Sequence, residues 1–509
     1  MSRRRLLQGL AAAGLGTAWL LPAQSRPAAA DRIRARLAAN PLLTPFLGVD
    51  DTSGDRLAES VPTRGRWPEA LRGRFYRNGP ALFERAGQRY HHWFDGDGMV
   101  QQFTLYGGRI GHRGRLVQTS KLMAERAAGR FLFNALGTAI EGGPPITGAD
   151  SINAANTNAL EHAGRVLAMW EGGSAYGLDP KDLSTQGPVT WRADLAGLPF
   201  TAHPKVDAGG HLWNIGTMGR HFVVWQVGPD GRLLSIQHGS SPYPGGMVHD
   251  MAVTGRYLVV PLPPVKLDFS RPVGDGPRRF EMDPGEPLRI LVMDKADIAR
   301  RRVFELPPQM VFHIGNAHEA GDGAVVLSFV GAPDAWFLDR GAVALMAGEP
   351  SPAGGSQLQT VRLDMASGRA QAERHAATVV EFPRINPKRI GLGGAEAAQW
   401  LLCGASWDSA GGRDASLLQG LQLTHMPSGR TQRFDYGPQV VAEEHILVPK
   451  PGRSGELEAW VLGTTFDAAK QATVLNLLEA ADLATGPVAQ AVLPYVLPLG
   501  FHGNFTAAT

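Results

Sequence analysis

Residues 257–260 read Tyr-Leu-Val-Val, a short apolar run that follows Gly255 and ends at Pro261. Runs of this length and composition, bounded by Gly or Pro, are typical of β-strands. Past residue 40, no amphipathic helical pattern persists beyond a few turns, and the best helical candidates are Ala124 to Leu136 and Ala469 to Leu483. Strands are therefore predicted to dominate, and further runs are Arg165 to Met169, Leu212 to Ile215, Ala324 to Phe329, Leu401 to Ala405 and Ala459 to Leu462.

The number of these strands limits the architecture. Many short antiparallel strands over roughly 480 residues are too many for one open sheet, and the blades of a propeller leave only short edges. The 63 glycines and 37 prolines are spread evenly, and no linker or composition shift divides residues 31–509. A single domain is therefore predicted. Because the repeat signal is weak, periodicity alone does not separate a propeller from two packed β-domains.

The N-terminus has the pattern of an export signal. Ser2-Arg3-Arg4-Arg5-Leu6-Leu7 is followed by an apolar run from Gly9 to Leu21 and by Ala28-Ala29-Ala30. Paired arginines before two leucines indicate the twin-arginine route, and small residues provide a cleavage site. We predict that residues 1–30 are a signal cleaved near Ala30 and that the mature protein is periplasmic or secreted. The alternative is an uncleaved amphipathic anchor.

Charge and cysteine usage exclude several classes of function. Residues 1–30 contain four arginines and no acid, so the formal charge of the mature chain is +3 − 4 = −1. This charge gives no support for nucleic-acid binding. A single cysteine, Cys403, excludes an internal disulfide and a cysteine-based zinc site. Any metal must therefore be held by nitrogen and oxygen ligands.

Four of the fifteen histidines lie in distinctive local settings. A lone histidine in such a setting is more often a core residue than a ligand, so only the set as a whole is informative. The four are His203 in Thr201-Ala202-His203-Pro204-Lys205-Val206-Asp207, His249 in Met247-Val248-His249-Asp250-Met251-Ala252-Val253-Thr254, His313 in Phe312-His313-Ile314-Gly315-Asn316-Ala317-His318-Glu319, and His502 in Pro498-Leu499-Gly500-Phe501-His502-Gly503-Asn504-Phe505.

These four segments, in this order, resemble the carotenoid cleavage oxygenase family. The resemblance runs from about residue 40 to the end, and it implies a seven-bladed β-propeller with a few helices capping one face. It also implies one Fe²⁺ per chain on the propeller axis. Further matching motifs are Phe75-Tyr76-Arg77-Asn78-Gly79-Pro80, Tyr90-His91-His92-Trp93-Phe94-Asp95-Gly96-Asp97-Gly98-Met99, Glu381-Phe382-Pro383-Arg384-Ile385-Asn386, and Glu444 five residues before Pro449.

The resemblance assigns roles to individual residues of this chain. The four histidines fall where the family places its iron ligands, and one ligand has no matching carboxylate partner. Thr157, in Asn156-Thr157-Asn158, matches a position beside the iron where the side chain crowds one coordination site. Imidazole suits iron, and ligand histidines usually donate their second nitrogen to a carboxylate or carbonyl. The carboxylates that match such partners are Glu171, Glu381 and Glu444.

The reaction implied by the resemblance is cleavage of an alkene carbon–carbon bond in a conjugated chain by dioxygen, with two carbonyl products. A carotenoid or apocarotenoid is the first expectation for the substrate, and a stilbene with phenolic rings is the second. A non-catalytic propeller that binds an apolar ligand is a further candidate, as is an isomerase or hydrolase at the same iron. A phenolic substrate needs buried polar partners for its hydroxyl group. Tyr90 and Lys121 are candidates for such partners; the alternative interpretation is that Tyr90 is a packed strand tyrosine and Lys121 a surface lysine.

Other polar residues of these motifs have structural interpretations. His91 and His92 are explained by a turn packed against Trp93. The sequence Asp95-Gly96-Asp97-Gly98 lacks the later glutamate that an EF-hand requires. Lys205 and Arg77 are interpreted as structural residues that bond to strand ends.

Substrate delivery predicts an apolar entry patch. Polyenes live in membranes, so an enzyme that uses them needs an exposed apolar surface and peripheral membrane contact. The candidates are Phe131, Leu132, Phe133 and Leu136, together with Leu195, Leu198 and Phe200.

Overall fold

The structure is a computed structural model that describes residues 27–51, 55–241, 243, 247–267, 280–349, 355–375, 379–407 and 417–508. Apart from residues 27–30, the predicted export signal lies outside this part of the chain. Among the described residues, no helix has the length and apolar character needed to cross a membrane.

The described residues form 34 strands. In chain order they are β1 (Arg56–Ala58), β2 (Thr63–Gly65), β3 (Gly73–Leu82), β4 (Glu84–Arg85), β5 (Gln88–Arg89), β6 (Asp97–Tyr106), β7 (Arg109–Leu116), β8 (Asn158–His162), β9 (Arg165–Met169), β10 (Tyr176–Leu178), β11 (Thr185–Pro188), β12 (Lys205–Val206), β13 (Leu212–Met218), β14 (His221–Val227), β15 (Leu233–Ser240), β16 (Ala252–Val253) and β17 (Tyr257–Leu262). The second half consists of β18 (Val265–Leu267), β19 (Phe280–Met282), β20 (Leu288–Asp294), β21 (Asp297–Leu306), β22 (Met310–Glu319), β23 (Val325–Ala332), β24 (Gln357–Leu363), β25 (Ala370–Arg374), β26 (Val379–Arg384), β27 (Trp400–Ser406), β28 (Gly420–His425), β29 (Arg430–Asp435), β30 (Val440–Pro449), β31 (Ala459–Asp467), β32 (Ala472–Glu479), β33 (Pro487–Val492) and β34 (His502–Ala507).

These strands assemble into seven antiparallel sheets of four or five strands, with β4–β5 and β18–β19 as separate two-stranded ribbons. Inner strands of neighbouring sheets pack against one another, as β34 does against β8 and β30, and β22 does against β16 and β26. The sheets are therefore the blades of a seven-bladed propeller, which confirms the predicted fold class. From outer to inner strand the blades are β1-β7-β6-β3-β34, β11-β10-β9-β8, β15-β14-β13-β12, β21-β20-β17-β16, β25-β24-β23-β22, β29-β28-β27-β26 and β2-β33-β32-β31-β30.

Two of the blades contain strands from both ends of the chain. The last strand, β34, pairs with β3 from Asn78 opposite His502 to Gly73 opposite Ala507. In the other shared blade, β2 pairs with β33 as the outer strand. These two closures leave no open gap between the first and the last blade, and they hold His502 at the propeller axis.

Packing between blades explains why the strands read as continuous apolar runs. Every residue of β31 is buried, because neighbouring blades cover both of its faces. One core cluster joins Phe103 of β6 to Leu462 of β31 and Leu475 of β32, so it lies between two blades. The core is thus a set of inter-blade layers that surround the axis.

Within the described ranges, three α-helices lie at the face where the inner strands begin. They are α1 (Pro27–Ala39), α2 (Ser120–Ala128) and α3 (Ala342–Ala347). Leu37 of α1 and Leu345 of α3 share a cluster with Phe501, the residue before β34. Leu122 of α2 packs with Leu82, the last residue of β3. This helical cap covers the end of the propeller that carries the candidate site.

The predicted helix from Ala124 to Leu136 is correct in type but displaced. Helix α2 begins after Thr119, whose hydroxyl accepts a hydrogen bond from the N–H of Leu122 at 3.1 Å. It ends at Gly129, which adopts a left-handed conformation with φ 63°. Residues 131–136 therefore form a loop.

The predicted helix from Ala469 to Leu483 is wrong. Residues Ala472–Glu479 form β32, and Ala480–Thr485 form a 3₁₀ turn. Strand β32 is buried almost throughout, between β31 and β33. A strand buried on both faces does not alternate between apolar and polar residues, so periodicity cannot distinguish it from a buried helix.

Candidate metal centre

The beginnings of the inner strands form a ring of polar residues around the propeller axis. Because radial repetition directs the inner strand of every blade to the same axis, residues far apart in sequence meet there. Each blade contributes one residue of the sequence motifs at or near the start of its inner strand. In chain order these are Thr157 before β8, His203 before β12, His249 before β16, His313 in β22, Glu381 in β26, Glu444 in β30 and His502 at the start of β34.

The four histidines point their Nε2 atoms at a common centre. The Nε2 of His249 lies 2.9 Å from that of His203 and 3.2 Å from that of His313. The Nε2 of His502 lies 3.1 Å from that of His313. All four side chains are buried, and their ligand atoms lie within 4.8 Å of one another.

This arrangement fits a metal ion. Nitrogens about 2.1 Å from one ion and at right angles to each other lie about 3 Å apart, which is the spacing of the neighbouring Nε2 atoms. Four nitrogen lone pairs that converge in a buried space repel one another unless a cation lies between them. The four histidines would therefore hold the ion, without a carboxylate ligand.

Carboxylates lie beside the second ring nitrogen of three of these histidines. The Nδ1 of His313 is 2.6 Å from Glu381 Oε2, and the Nδ1 of His502 is 3.0 Å from Glu444 Oε1. Such partners fix the tautomer with Nδ1 protonated and leave Nε2 free to bind a metal. The fold therefore brings Glu381 beside His313 and Glu444 beside His502, pairings that the sequence did not assign.

The third pair is less well aligned. The Nδ1 of His249 is 3.0 Å from Oε1 of Glu171, which lies two residues after β9. The angle does not satisfy a hydrogen bond, and both buried atoms lack another partner.

The electrostatics of the Glu444–His502 pair favour a neutral ring and an ionised carboxylate. Burial opposes ionisation of Glu444, but Arg384, His502 and the N–H of Gly503 outweigh it and lower the pKa of this carboxyl to about 2. Burial lowers the pKa of His502 to about 4, although Glu444 acts in the opposite direction. These are the protonation states that metal binding requires.

His203 differs from the other three histidines. Its pKa is well below the ordinary value because of burial and because His249, His502 and His313 surround it. In the part of the chain that the structure describes, no carboxylate contacts its ring, in agreement with the sequence interpretation that one ligand has no carboxylate partner.

A model of the family described as retinal pigment epithelial membrane protein, RPE65, matches residues 52–507. This match covers most of the chain and includes all seven residues of the ring. The chain belongs to the carotenoid cleavage oxygenase family. Similar curated proteins of this family include the apocarotenoid-15,15'-oxygenase of Synechocystis, which is 28% identical over 87% of this chain and 91% of its own. The lignostilbene-α,β-dioxygenase isozyme III of Sphingomonas paucimobilis is 27% identical over 88% and 94%.

Solved structures show the same fold for the carotenoid cleavage oxygenase family. The cobalt-substituted apocarotenoid oxygenase of Synechocystis superposes with a TM-score of 0.81 at 25% identity, covering 92% of this chain and 99% of its own. The relatives are named oxygenases or dioxygenases, so this chain is an oxygenase-type enzyme. This result argues against a non-catalytic binding propeller.

Tyr90 and Lys121 lie together in a buried polar cluster. The ammonium of Lys121 donates to the Tyr90 hydroxyl at 2.8 Å, to Asp97 Oδ1 at 2.8 Å and to Glu125 Oε2 at 2.9 Å. The interpretation of Lys121 as a surface lysine is therefore wrong. An ammonium has three N–H donors, so all those of Lys121 are engaged within the protein.

The predicted entry patch is only partly at the surface. Phe131 stacks on Tyr90 with ring centroids 4.0 Å apart and is fully buried, and Phe133 is buried beside it. Phe200 is buried against Trp191 and Trp225. These aromatic residues, and the buried Leu195, fill the core and do not form an exposed patch. Membrane contact stays a prediction for the half-buried Leu132, Leu136 and Leu198.

Several aromatic residues at the metal centre were not identified from the sequence. Phe312 lies flat against His249, with ring centroids 3.8 Å apart and an angle of 4° between the rings. Phe94 is nearly parallel to Phe312, with ring centroids 6.2 Å apart and an angle of 17° between the rings. The ring of Phe312 therefore holds the plane of His249. Its position directly before His313 was the available signal, but it did not indicate which neighbouring ligand Phe312 would contact.

Phe382 has an unusual backbone that positions Glu381. It adopts a left-handed conformation with φ 56°, at a bulge where the register between β26 and β27 shifts. Such conformations are costly for residues other than glycine and are held by their surroundings. The N–H of Phe382 donates to Glu381 Oε2 at 2.9 Å, the same oxygen that lies beside His313. The bulge thus aims the carboxylate at its histidine.

Proposed function

We propose that this protein is an iron(II) dioxygenase that cleaves a carbon–carbon double bond of a carotenoid or apocarotenoid. Both oxygen atoms of O₂ are retained, one in each of the two carbonyl products, so the reaction balances without a reductant. The observation that carries the proposal is the convergence of four buried imidazoles in a chain whose relatives are named oxygenases. Imidazole ligands suit iron, and bound iron would supply the redox chemistry that activates dioxygen.

Residues of the chain would hold the ligand rings in the orientation that a metal requires. Glu381 and Glu444 fix the tautomers of His313 and His502. Phe312, which stacks on His249, is one of several partly exposed apolar side chains that pack on one apolar cluster, and a polyene would pack against them without leaving a polar group unpaired. They are Phe94, Leu136, Met247 and Phe312, which contact a cluster formed by Val265, Phe280, Met310, Ala335 and Leu338.

We also propose that Thr157 restricts access to one side of the metal. Thr157 is buried directly before β8, the inner strand that packs against β34 and its ligand His502. Its hydroxyl donates to Asn156 Oδ1 at 3.1 Å.

The proposal is tested with the iron-reconstituted protein, a panel of conjugated substrates and ¹⁸O₂. We expect an apocarotenal or a carotenoid to yield two carbonyl fragments, each with one labelled oxygen atom. Parallel reactions in H₂¹⁸O under ordinary O₂ correct for exchange of carbonyl oxygen with water. An isomerase or a hydrolase would take no label from O₂, and that outcome would refute the proposal.

Cleavage of a phenolic stilbene is the second candidate, and one observation favours it. Oδ2 of Asp97 is buried without a hydrogen-bond partner, beside Tyr90 and Lys121. A substrate hydroxyl that donates to this oxygen would satisfy it, whereas a polyene would not. Because Lys121 is already saturated, we rank this function below carotenoid cleavage. Adding a hydroxystilbene and its methyl ether to the panel separates the two candidates, since only a phenol-binding site rejects the ether strongly.

Export by the twin-arginine route is a proposal that rests on residues 1–30. We expect the protein recovered from the periplasm or medium of a bacterial host to begin near Asp31. Replacement of Arg3, Arg4 and Arg5 by lysine should leave the full-length precursor in the cytoplasm, because the route requires the arginine pair. Export of this triple variant at the wild-type level would contradict the proposal.

A further inference from the structure

A buried carboxylate, that of Asp250, lies between three of the four ligand-bearing segments. Its Oδ1 accepts hydrogen bonds from Lys205 Nζ at 2.7 Å and from the N–H of Met251 at 2.7 Å. Its Oδ2 accepts one from the N–H of Ile314 at 2.8 Å. The side chain of Asp250 is only 3% exposed, so these bonds replace solvent almost completely.

Each donor is close in sequence to a metal ligand. Lys205 lies two residues after His203, Met251 two residues after His249, and Ile314 directly after His313. These three segments belong to three neighbouring blades, whose inner strands are β12, β16 and β22. A single carboxylate therefore contacts the side chain of Lys205 and the backbone of Met251 and Ile314, and so connects the segments of three ligands across two blade boundaries.

The local backbone is adapted to this contact. The register between β22 and β23 shifts between Val311 and Ile314. At this bulge, the N–H of Ile314 donates to Asp250. Bulges re-aim side chains and expose backbone groups that a regular ladder would use. The same irregularity directs His313 to the axis.

His203 differs from the other ligands in the groups that lie around it. Glu171, Glu381 and Glu444 lie beside the rings of His249, His313 and His502. Within the described residues, the ring of His203 has no such carboxylate, whereas the nearby Lys205 forms an ion pair with Asp250. The ion pair therefore restrains the backbone segment of His203, whereas the other three ligands each have a carboxylate beside the ring.

We propose that Asp250 and Lys205 form a positioning pair that sets the metal affinity of the centre. The pair lies outside the set of four converging histidines, and it acts by holding three ligand segments at the separation that one ion requires. Preorganisation of this kind lowers the cost of bringing the ligands together when the metal binds. This inference rests on the metal centre of the proposed function and goes beyond it, because it names residues that determine how tightly the ion is held.

The test compares Co²⁺ binding by the metal-free full chain and by its variants, with the Co²⁺ absorption spectrum and the rise in Tm as readouts. In Asp250→Asn, the amide replaces one acceptor oxygen by a donor, so at least one of the three contacts is lost or repelled. We expect its Kd for Co²⁺ to rise by roughly 10–100-fold, the range typical of lost outer partners of metal ligands. Its gain in Tm on adding Co²⁺ should shrink, and its ligand-field bands should broaden or shift.

Two further variants separate positioning from folding. Lys205→Met keeps the backbone contacts of Asp250, so it should fold and still bind Co²⁺ about tenfold more weakly. Asp207→Asn is the matched control, because Asp207 accepts from the N–H groups of Gly209 and His211 and from Trp213 Nε1 at the other end of β12. This control should bind Co²⁺ as the wild type does.

Weaker Co²⁺ binding by both pair variants, with normal binding by Asp207→Asn, supports the positioning pair. The positioning pair would be overturned if the Kd values of Asp250→Asn and Lys205→Met both stayed within about twofold of the wild-type value, a change smaller than the range for outer partners of metal ligands. It would also be overturned if Asp207→Asn lost as much Co²⁺ affinity as the two pair variants. Absence of Co²⁺ binding by the wild type would instead refute the metal centre itself.

Discussion

His249→Ala is expected to abolish both metal binding and turnover. The substitution removes one of four converging nitrogens and also the ring against which Phe312 packs. After anaerobic reconstitution, the wild type should hold about one iron per chain and the variant almost none. Loss of a residue that only contacts a metal ligand typically lowers activity by up to roughly 100-fold. Because His249 is itself a ligand, we expect turnover to fall by more than this. Metal analysis and product quantification measure the two effects.

A matched histidine serves as the control for this prediction. His425 lies at the end of β28 and bonds to Ser428 and Gln399, away from the ring of ligands. His425→Ala should keep its iron and its activity. Substantial oxygen-dependent cleavage by His249→Ala would show that the four histidines are not a working metal centre.

Glu444→Gln is expected to have the second-largest effect. The carboxylate accepts from His502 Nδ1 through one oxygen and from the N–H of Gly503, at 2.8 Å, through the other. A glutamine can satisfy only one of these donors, since its amide nitrogen donates. His502 must then turn or change tautomer, and we expect metal affinity and turnover to fall by roughly 10–100-fold.

The control for Glu444→Gln is Glu479→Gln. Glu479 forms a partly exposed ion pair with Lys450, and such pairs contribute little. Equal iron affinity in the Glu444 variant and the wild type would mean that the orientation of His502 does not depend on its carboxylate. Restoration by Glu444→Asp would not be expected, because the shorter side chain cannot reach both donors.

Much of the metal centre could be predicted because its motifs are local. His203, His249, His313 and His502 each lie in a short segment with recognisable neighbours, and Glu381 and Glu444 lie in two further segments. The sequence did not reveal that Phe312 stacks on His249 or that Asp250 joins three ligand segments. These contacts cross blade boundaries, and no sequence spacing records the distance between residues on different blades.

Burial was the property that sequence patterns predicted least well. Lys121 is buried because Asp97 and Glu125 form ion pairs with its ammonium. The sequence alone did not indicate that either carboxylate would contact Lys121. Phe131 and Phe200 were expected at an exposed patch and are instead packed against other aromatic rings. The apolar run in β32 was interpreted as a helix for the same reason, since a strand covered on both faces loses its alternation.

By itself, the amino-acid sequence determined the strand-rich fold class, the set of four histidines and three glutamates, and the family to which these motifs point. Only the tertiary structure decided which carboxylate faces which ring, which apolar residues are exposed, and how Asp250 holds the ligand segments together. The physical reason is that residue types and local periodicity are properties of the chain, whereas pairing at the axis depends on the register and closure of seven blades.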